Sequence, residues 1–294
     1  MFDRLLFPTD GGEGAEAVLD HVLDLARAHD ATVYVLYVAD TTRDSATRVG
    51  GEVIDVLERE GEDVVEAAAD RARDAVVDAE TEVLQGQPYE TIVGYADTVD
   101  ADLIAMPTRG RTGLERLLLG STTERVVRQS EGPVLTIRPD ADFRHPFENV
   151  LVPTDGSDPA RAALARAVDL ATVEGANLKL LSVVDVAGLG VDVRAAVGTE
   201  ALIGTAEEVL EEAREFAAGA GELEPTSATV ETGASVHGTV LEQVEDRDVD
   251  LIVVGTHGRT GFDRYLLGSV AEKLIRTSPV PVMTVRGSSG SESV

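Results

Sequence analysis

The chain of 294 residues contains one segment twice. The residues Leu-Phe-Pro-Thr-Asp-Gly at 6–11 return as Leu-Val-Pro-Thr-Asp-Gly at 151–156, and residues 100–138 return without a gap at 248–286 with 21 of the 39 positions identical. Identity over that length indicates duplication of a whole structural unit. We therefore expect one domain over residues 1–140 (copy 1), a second over 146–287 (copy 2), and a flexible tail at 288–294.

Each copy alternates the patterns of buried strands and amphipathic helices. Residues 15–29 and 53–79 show helical periodicity, and the second stretch places Val76 on its apolar stripe. In copy 1, short runs rich in Val, Leu and Ile indicate strands at 3–9, 31–38, 81–85, 102–107 and 133–138. This order predicts an α/β, Rossmann-like fold: two tandem copies of a doubly wound, mainly parallel five-stranded sheet with helices on both faces. In such sheets ligands bind at the carboxyl ends of strands, where the strand order switches.

A glycine-rich loop follows the fourth strand of copy 2. Gly255, Gly258 and Gly268 are separated by two and nine residues, and Ser269 follows directly at the start of a helix. Glycines let the backbone approach a ligand closely, and a helix N-terminus offers N–H donors and a positive dipole end. We therefore predict a site for an anion, most naturally a polyphosphate, with Ser269 as the helix cap.

Those residues resemble a known family. The spacing Gly-x2-Gly-x9-Gly-Ser at 255–269, the Pro-Thr-Asp-Gly start and the strand-ending Pro-Val-x-x-Val/Ile-Arg are similar to a tandem universal stress protein of the ATP-binding branch, within the adenine nucleotide alpha hydrolase-like fold. The resemblance implies that Pro153, Thr154 and Asp155 line the ribose and phosphates or a magnesium ion. It further implies that Val183 meets the adenine. Ribose and phosphates would then be held by Gly255, Gly258, Gly268, Ser269 and Val270.

Copy 1 matches the same signature with one departure, because Pro107 replaces the first glycine. Proline has no N–H, so a hydrogen bond to the ligand from this position is lost. Arg109, which aligns with His257 of copy 2, has a charge that partly compensates for the lost hydrogen bond. Three alternatives follow for copy 1: it binds ATP weakly, it binds a different nucleotide, or it is structural. The residues that the resemblance assigns to its site are Thr9, Asp10, Val38, Gly110, Gly120, Ser121 and Thr122, with Asp10 as a candidate magnesium ligand.

The loop after the first strand raises two further questions, a dinucleotide-binding pattern and the role of its aspartate. Gly12-Glu13-Gly14-Ala15-Glu16-Ala17 fits a dinucleotide fingerprint, but copy 2 has Ser157-Asp158-Pro159-Ala160 there, so the pattern is not shared. Asp10 and Asp155 have two interpretations: they contact the ligand or its metal, or they form hydrogen bonds within the loop. We favour the ligand role because both copies place the carboxylate at the end of the first strand.

Composition limits the compartment and the partners. The chain has no cysteine, and its formal charge of -29 would repel nucleic-acid backbones and anionic lipid. Neither a signal peptide nor an apolar run of about 18 residues is apparent. We expect a cytoplasmic protein with no nucleic-acid or membrane partner. The excess of acidic residues over both copies, with only two lysines, resembles the proteins of salt-in halophiles.

The last strands, at 134–138 and 282–286, are apolar and follow proline. In the resembled family, single-domain members dimerise through this strand, which implies an intramolecular pseudo-dimer here and leaves a homodimer open. The leading hypothesis is an ATP-binding stress-response module whose nucleotide occupancy is read by a partner. The alternatives are an adenine-nucleotide hydrolase or transferase of the related superfamily, and a dimerisation protein that binds no nucleotide.

Overall fold

The computed structural model describes residues 1–41, 51–109, 119–186, 199–221, 223, 225, 227–256 and 267–287. The chain divides into two compact units, Met1–Ala141 and Asp142–Val294. The predicted tail at 288–294 lies outside the described residues.

Strands and helices alternate along the described part of unit 1. They are β1 (Arg4–Thr9), α1 (Glu13–His29), β2 (Thr32–Asp40), α2 (Gly51–Asp74), β3 (Ala79–Gly86), α3 (Pro88–Thr98), β4 (Leu103–Pro107), α4 (Ser121–Gln129) and β5 (Val134–Ile137).

The described part of unit 2 repeats this order. Its elements are β6 (Asn149–Pro153), α5 (Asp158–Glu174), β7 (Asn177–Asp185), α6 (Thr199–Gly221), β8 (Ser227–Gly233), α7 (Val236–Asp246), β9 (Leu251–Gly255), α8 (Ser269–Thr277) and β10 (Val282–Val285).

Each unit contains a sheet whose described pairings are all parallel. The strand order is β3-β2-β1-β4-β5 in unit 1 and β8-β7-β6-β9-β10 in unit 2. The central strands β4 and β9 are buried along their whole length, as continuous apolar runs in parallel sheets require. The predicted α/β fold is confirmed, and the strand order reverses direction at β1 in unit 1 and at β6 in unit 2.

One carboxylate in each unit holds the start of the first strand against the start of the fourth. Asp250, only 2% exposed, accepts hydrogen bonds from the backbone N–H groups of Glu148 and Asn149, both at 2.9 Å. Asp102 accepts the same pair of bonds from Asp3 and Arg4, at 2.8 and 2.9 Å. These bonds fix the strands at their amino ends, so the opposite ends are left for the loops that carry the candidate site.

The predicted helix over 53–79 was too long, because α2 ends at Asp74. Val76 is 86% exposed and has a φ of 59°, so it does not belong to the apolar stripe. Its N–H donates to the carbonyl of Arg73, and the N–H of Val77 donates to that of Ala72, which closes the helix end. This left-handed position after a helix favours glycine or asparagine, and a β-branched side chain there is strained.

The first helix of each unit packs closely against the end of the fourth strand. The glycine that permits the close approach lies on the strand in unit 2 and on the helix in unit 1. A Cβ on Gly255 would lie 2.6 Å from the backbone carbon of Pro159 in α5. In unit 1 the glycine is on the helix instead: a Cβ on Gly14 would lie 2.7 Å from the carbonyl oxygen of Arg109, just after β4. In the alignment of the two copies, Gly255 and Pro159 of unit 2 correspond to Pro107 and Gly14 of unit 1, so each unit has one glycine and one proline at these two positions.

Replacement of Val76 by glycine should stabilise unit 1 by about 0.5–1 kcal/mol, because the left-handed backbone is strained for valine and not for glycine. Chemical denaturation of the full chain measures this change. Val173→Gly is the matched control, since Val173 is 55% exposed but lies within helix α5, where glycine should destabilise. A loss of stability in both variants would contradict the strain at Val76.

Replacement of Gly255 by alanine should destabilise unit 2 by about 1–3 kcal/mol, because the added methyl group overlaps the backbone of α5. Gly204→Ala is the control: nothing lies within 4 Å of a Cβ at this position in α6, so alanine should stabilise the helix. Thermal unfolding of the two variants compares them. Equal stability of Gly255→Ala and the original chain would mean that α5 is not packed on the end of β9.

Candidate functional site

The strand order of each unit reverses between its first and fourth strands, where doubly wound sheets have a crevice. In unit 2, β6 pairs with β9 only at Val150↔Leu251 and Leu151↔Ile252. In unit 1, β1 pairs with β4 only at Leu5↔Leu103 and Leu6↔Ile104. Beyond these pairs the structure records no pairing between the two strands of each unit, so their carboxyl ends are not joined to one another. This is the place where doubly wound sheets bind ligands.

The loop after β6 forms its own hydrogen bonds. Pro153 ends the strand, and the N–H of Thr154 donates to the carbonyl of Leu181 at 2.8 Å. Thr154 Oγ1 accepts the N–H of Gly156 at 3.2 Å, and Asp155 Oδ1 accepts that of Ser157 at 3.0 Å. The structure therefore gives Asp155 the loop-stabilising role that was one of its two interpretations. Gly156, with φ 77°, makes the turn.

A backbone hydrogen bond joins the two ends of the loop that follows β9. The N–H of Gly268 donates to the carbonyl of Thr256 at 2.6 Å, which holds the start of α8 against the end of β9. The first intrahelical bond runs from the N–H of Glu272 to Gly268 at 2.9 Å, so the N–H groups of Ser269, Val270 and Ala271 have no acceptor within the helix. Within the described residues, these three N–H groups at the start of α8 have no backbone acceptor, and they lie next to the end of β9.

The predicted cap at Ser269 was wrong by one residue. Gly268 is the N-cap, and Ser269 is the first helical residue, with an exposed side chain. Glycine has no side chain that could accept a hydrogen bond from the first turn, and none is made. By contrast, Ser157 caps α5 through a 3.4 Å bond from the N–H of Ala160. Among the described residues, the first turn of α8 therefore lacks the side-chain cap bond that α5 has.

The N–H of Gly255 faces the crevice side of β9. The N–H groups of Ile252 and Thr256 donate to the carbonyls of Pro281 and Val285 on the β10 side, at 3.1 and 3.0 Å. Successive N–H groups of a strand alternate in direction, so the N–H of Gly255 is directed toward β6. Since β6 and β9 are no longer paired at this level, this donor lies at the opening of the crevice.

Val183 is half-buried at the carboxyl end of β7. Because Pro153 is paired with Leu181, Val183 stands level with Asp155 on the neighbouring strand. In unit 1, Thr9 is paired with Tyr37, so half-buried Val38 stands level with Asp10. Each valine thus offers an apolar surface beside the carboxylate loop.

The loops of copy 1 repeat this geometry. Thr9 Oγ1 accepts the N–H of Gly11 at 3.1 Å, and Asp10 Oδ1 accepts that of Gly12 at 3.0 Å. The N–H of Gly120 donates to the carbonyl of Thr108 at 2.8 Å, and Gly120 caps α4 without a side-chain bond. Exposed Ser121 and half-buried Thr122 begin that helix. Gly110 of copy 1 and Gly258 of copy 2 lie outside the described residues.

Proline is tolerated at position 107 of the central strand because its nitrogen does not face the paired neighbour β5. The N–H groups of Ile104 and Thr108 donate toward β5, to Pro133 and Ile137, at 3.1 and 3.0 Å. By alternation the nitrogen of Pro107 faces β1, where pairing has already ended. Proline therefore interrupts no hydrogen bond of the β4–β5 ladder, and what it removes is the crevice-facing donor that Gly255 supplies in copy 2.

A cavity of about 440 Å³ begins at Thr9 and Gly11 and extends between α1 and α2. Its inner wall is apolar and includes Phe7 and Leu19. Three acidic side chains, Glu16, Glu60 and Asp63, and one arginine, Arg71, also line it. Apolar walls suit a ring or an aliphatic chain, whereas the carboxylates disfavour a phosphate chain inside this cavity.

The sequence analysis missed a group of charges beside the copy 1 crevice. Arg138, at the end of β5, binds both carboxylate oxygens of Asp140, with Nε and Nη2 at 3.0 and 2.8 Å. The hydrogen bond from Arg138 is the main reason that the pKa of Asp140 lies below its ordinary value. Arg109 Nη2 lies 3.6 Å from the same carboxylate. The spacing Arg-x-Asp after the last strand was the available signal.

Within the part of the chain that the structure describes, no helix combines the length and apolar character that a membrane span requires.

The sequence profile of the universal stress protein family matches residues 1–138 and 146–286. A universal stress protein of Mycobacterium tuberculosis is 31% identical over 251 residues, covering 79% of this chain and 78% of its own. One from Mycolicibacterium smegmatis is 29% identical over 300 residues, covering 96% of each chain.

Among solved structures, a universal stress protein from Archaeoglobus fulgidus superposes with a TM-score of 0.72 at 26% identity, covering 97% of this chain and 96% of its own. The profile match spans both copies, and the sequence relatives and the solved structure extend over most of the chain. The chain therefore belongs to the universal stress protein family and carries two of its domains in tandem.

Proposed function

We propose that this chain is an adenine-nucleotide-binding stress-response module whose principal site, in copy 2, takes ATP. The observation that carries the proposal is the N-terminus of α8. It has no side-chain cap and is bonded directly to the end of β9, beside the opening between β6 and β9. Helix N-termini of this kind favour phosphate groups because unpaired N–H donors and the helix dipole act together.

In this proposal the phosphates lie against Gly268, Ser269 and Val270, where the first-turn donors are. Gly255 contributes its crevice-facing N–H, and Gly258 the remaining glycine of the signature. On the opposite wall, Pro153 and Thr154 border the ribose and phosphates, and half-buried Val183 offers the apolar surface for adenine.

Magnesium would enter with the nucleotide. Mg²⁺ in nucleotide sites is commonly held by one or two carboxylates together with phosphate oxygens and water. Asp155 in copy 2 and Asp10 in copy 1 are the carboxylates at the ends of the first strands, so they fit that role. In each, Oδ1 accepts a hydrogen bond from a backbone N–H of the loop, which orients the carboxylate.

For copy 1 we propose a weaker site of the same outline, with Thr9, Asp10 and Val38 on one wall and Gly120, Ser121, Thr122 and Gly110 on the other. The missing donor at Pro107 lowers its affinity for the triphosphate. Four further statements stay predictions: the last strands pair within one chain, two chains associate, the protein is cytoplasmic, and a partner responds to nucleotide occupancy.

Gly268→Val should weaken ATP binding by about ten- to a hundredfold, because its side chain occupies the space where the phosphates meet the first-turn donors. Isothermal titration of the full chain with ATP and magnesium measures the change. The matched control is Gly120→Val, at the same N-cap position of copy 1, which should leave the tighter site intact.

Circular dichroism should show that both variants are folded. Unchanged ATP affinity in Gly268→Val would contradict the assignment of the phosphate site. Nucleotide analysis of the same samples over time separates binding from turnover: release of ADP or AMP that is lost in Asp155→Ala would favour the hydrolase alternative.

The charge of -29 and the two lysines support a further proposal, that the protein is adapted to molar intracellular salt. At about 1 M salt the Debye length is only about 3 Å, so repulsion among the acidic surfaces is screened. We expect the midpoint of thermal unfolding to rise steadily from low to molar KCl. A midpoint that is independent of KCl, or falls with it, would count against this adaptation.

A further inference from the structure

The cavity between α1 and α2 of copy 1 lies beside the site proposed for the nucleotide and extends away from it. Apart from Thr9 and Gly11 of the first loop, its described lining belongs to Phe7 of β1 and to the two helices. Its volume of about 440 Å³ falls within the range of small-molecule pockets, roughly 300–1,000 Å³. The space is therefore large enough for a whole small molecule, and a single lysine side chain would leave most of it empty.

The apolar part of the wall is built from side chains that the fold itself buries. Phe7, Ala15, Leu19 and Ala68 line the cavity and are each at most 5% exposed. Two of the four are alanines, one on each helix, whose short side chains leave the space between the helices unfilled. An aliphatic or aromatic group in this space would remove further apolar surface from water.

Carboxylates border the same cavity and give it an excess of negative charge. Glu16 of α1 and Asp63 of α2 are exposed, half-buried Glu60 is a third, and no described residue forms an ion pair with Glu16 or Asp63. Arg71 also lines the cavity, but its Nη1 donates to the carbonyl of Glu16 at 3.1 Å and its Nη2 lies 2.6 Å from Asp20. The guanidinium is thus held on α1 by another carboxylate, so it does not neutralise the lining.

Copy 2 has the opposite charge at the corresponding position of its first helix. Helices α1 and α5 both contain 17 residues, and Glu16 aligns with Arg161. Arg161 Nη2 lies 3.2 Å from Glu212 Oε2, so an ion pair joins α5 to α6 there. In copy 1 the two helices instead bring Glu16 and Asp63 to one cavity. A cation between these carboxylates would supply the attraction that the ion pair supplies in copy 2.

We propose that this cavity binds a small organic cation, an ammonium group carried on an aliphatic or aromatic body. The body packs against Phe7 and Leu19, and the ammonium group donates charge-assisted hydrogen bonds to Glu16 and Asp63. An anion is disfavoured by the carboxylates, and a bare metal ion would gain nothing from the apolar wall. Charge and wall together therefore select a ligand that is cationic at one end and apolar at the other.

This inference goes beyond the proposed function, because the residues of α1 and α2 take no part in the nucleotide site and the ligand is opposite in charge to a phosphate. Thr9 borders both regions, so the test is made without nucleotide. Glu16 and Gly268 lie in different units, so a failure of one proposal cannot be mistaken for a failure of the other.

The test titrates benzylammonium into the full chain by isothermal titration calorimetry at constant ionic strength. Benzyl alcohol keeps the ring without the charge, and methylammonium keeps the charge without the ring. Benzylammonium should bind saturably, and each of the other two probes should bind about fivefold more weakly or less tightly still, because each lacks one of the two contacts. Equal binding of benzylammonium and either partial probe would overturn the proposal.

Glu16→Gln and Asp63→Asn should each weaken benzylammonium binding by about two- to fivefold, as expected for loss of one exposed charge contact. The matched control is Glu62→Gln, which removes the same charge from an exposed position of α2 outside the lining and should leave the affinity unchanged. Ala67→Leu narrows the cavity from an exposed position that lines it, so it should weaken binding further.

Circular dichroism should show that all four variants are folded. If Glu62→Gln weakens binding as much as Glu16→Gln does, the cation is attracted by the acidic surface in general and the site is excluded. An affinity that Ala67→Leu leaves unchanged would likewise overturn the proposal, because the ligand would then lie outside the cavity.

Discussion

The short pairing between the first and fourth strands is the constraint on which the site of each unit depends. In both units this parallel pairing includes only two residue pairs near the amino ends. Asp102 and Asp250 hold the strands together at those ends. Beyond these pairs the two strands are not paired, and the candidate binding groups lie at the carboxyl ends of strands, on the loops that follow them and at helix starts. A longer pairing would have used the backbone donor of Gly255 within the sheet.

Pro159 of copy 2 is replaced by Gly14 in copy 1, and the signature glycine, Gly255, is replaced by Pro107. In copy 2 this glycine has two physical roles, because it admits the backbone of α5 and presents a donor to the crevice. In copy 1 the close approach lies between Gly14 of the first helix and the carbonyl oxygen of Arg109, and the backbone donor is absent at Pro107. The departure at Pro107 therefore removes a hydrogen-bond donor from the crevice side of β4.

Much of the fold could be predicted from the sequence because duplication and period-two and period-3.6 patterns are local signals. The α/β class and the strands of copy 1 followed from them. The end of α2 did not follow from the pattern, because Val76 continues the apolar period of the helix. In the structure Val76 has a left-handed backbone at the point where the chain leaves the helix. The N-cap was also predicted one residue too late, at Ser269, whereas it lies at Gly268. The Gly14–Arg109 and Arg138–Asp140 contacts join residues of different elements or depend on side-chain direction, so local patterns could not supply them.

The central claim is that ATP lies at the carboxyl edge of the copy 2 sheet, between the Thr154 loop and the start of α8. A crystal structure of the full chain grown with ATP and magnesium measures this most directly. The account predicts adenine beside Val183 and phosphates within hydrogen-bonding distance of the N–H groups of Ser269 and Val270. Nucleotide bound elsewhere on unit 2, or a copy 2 crevice that stays empty at saturating ATP, would contradict it.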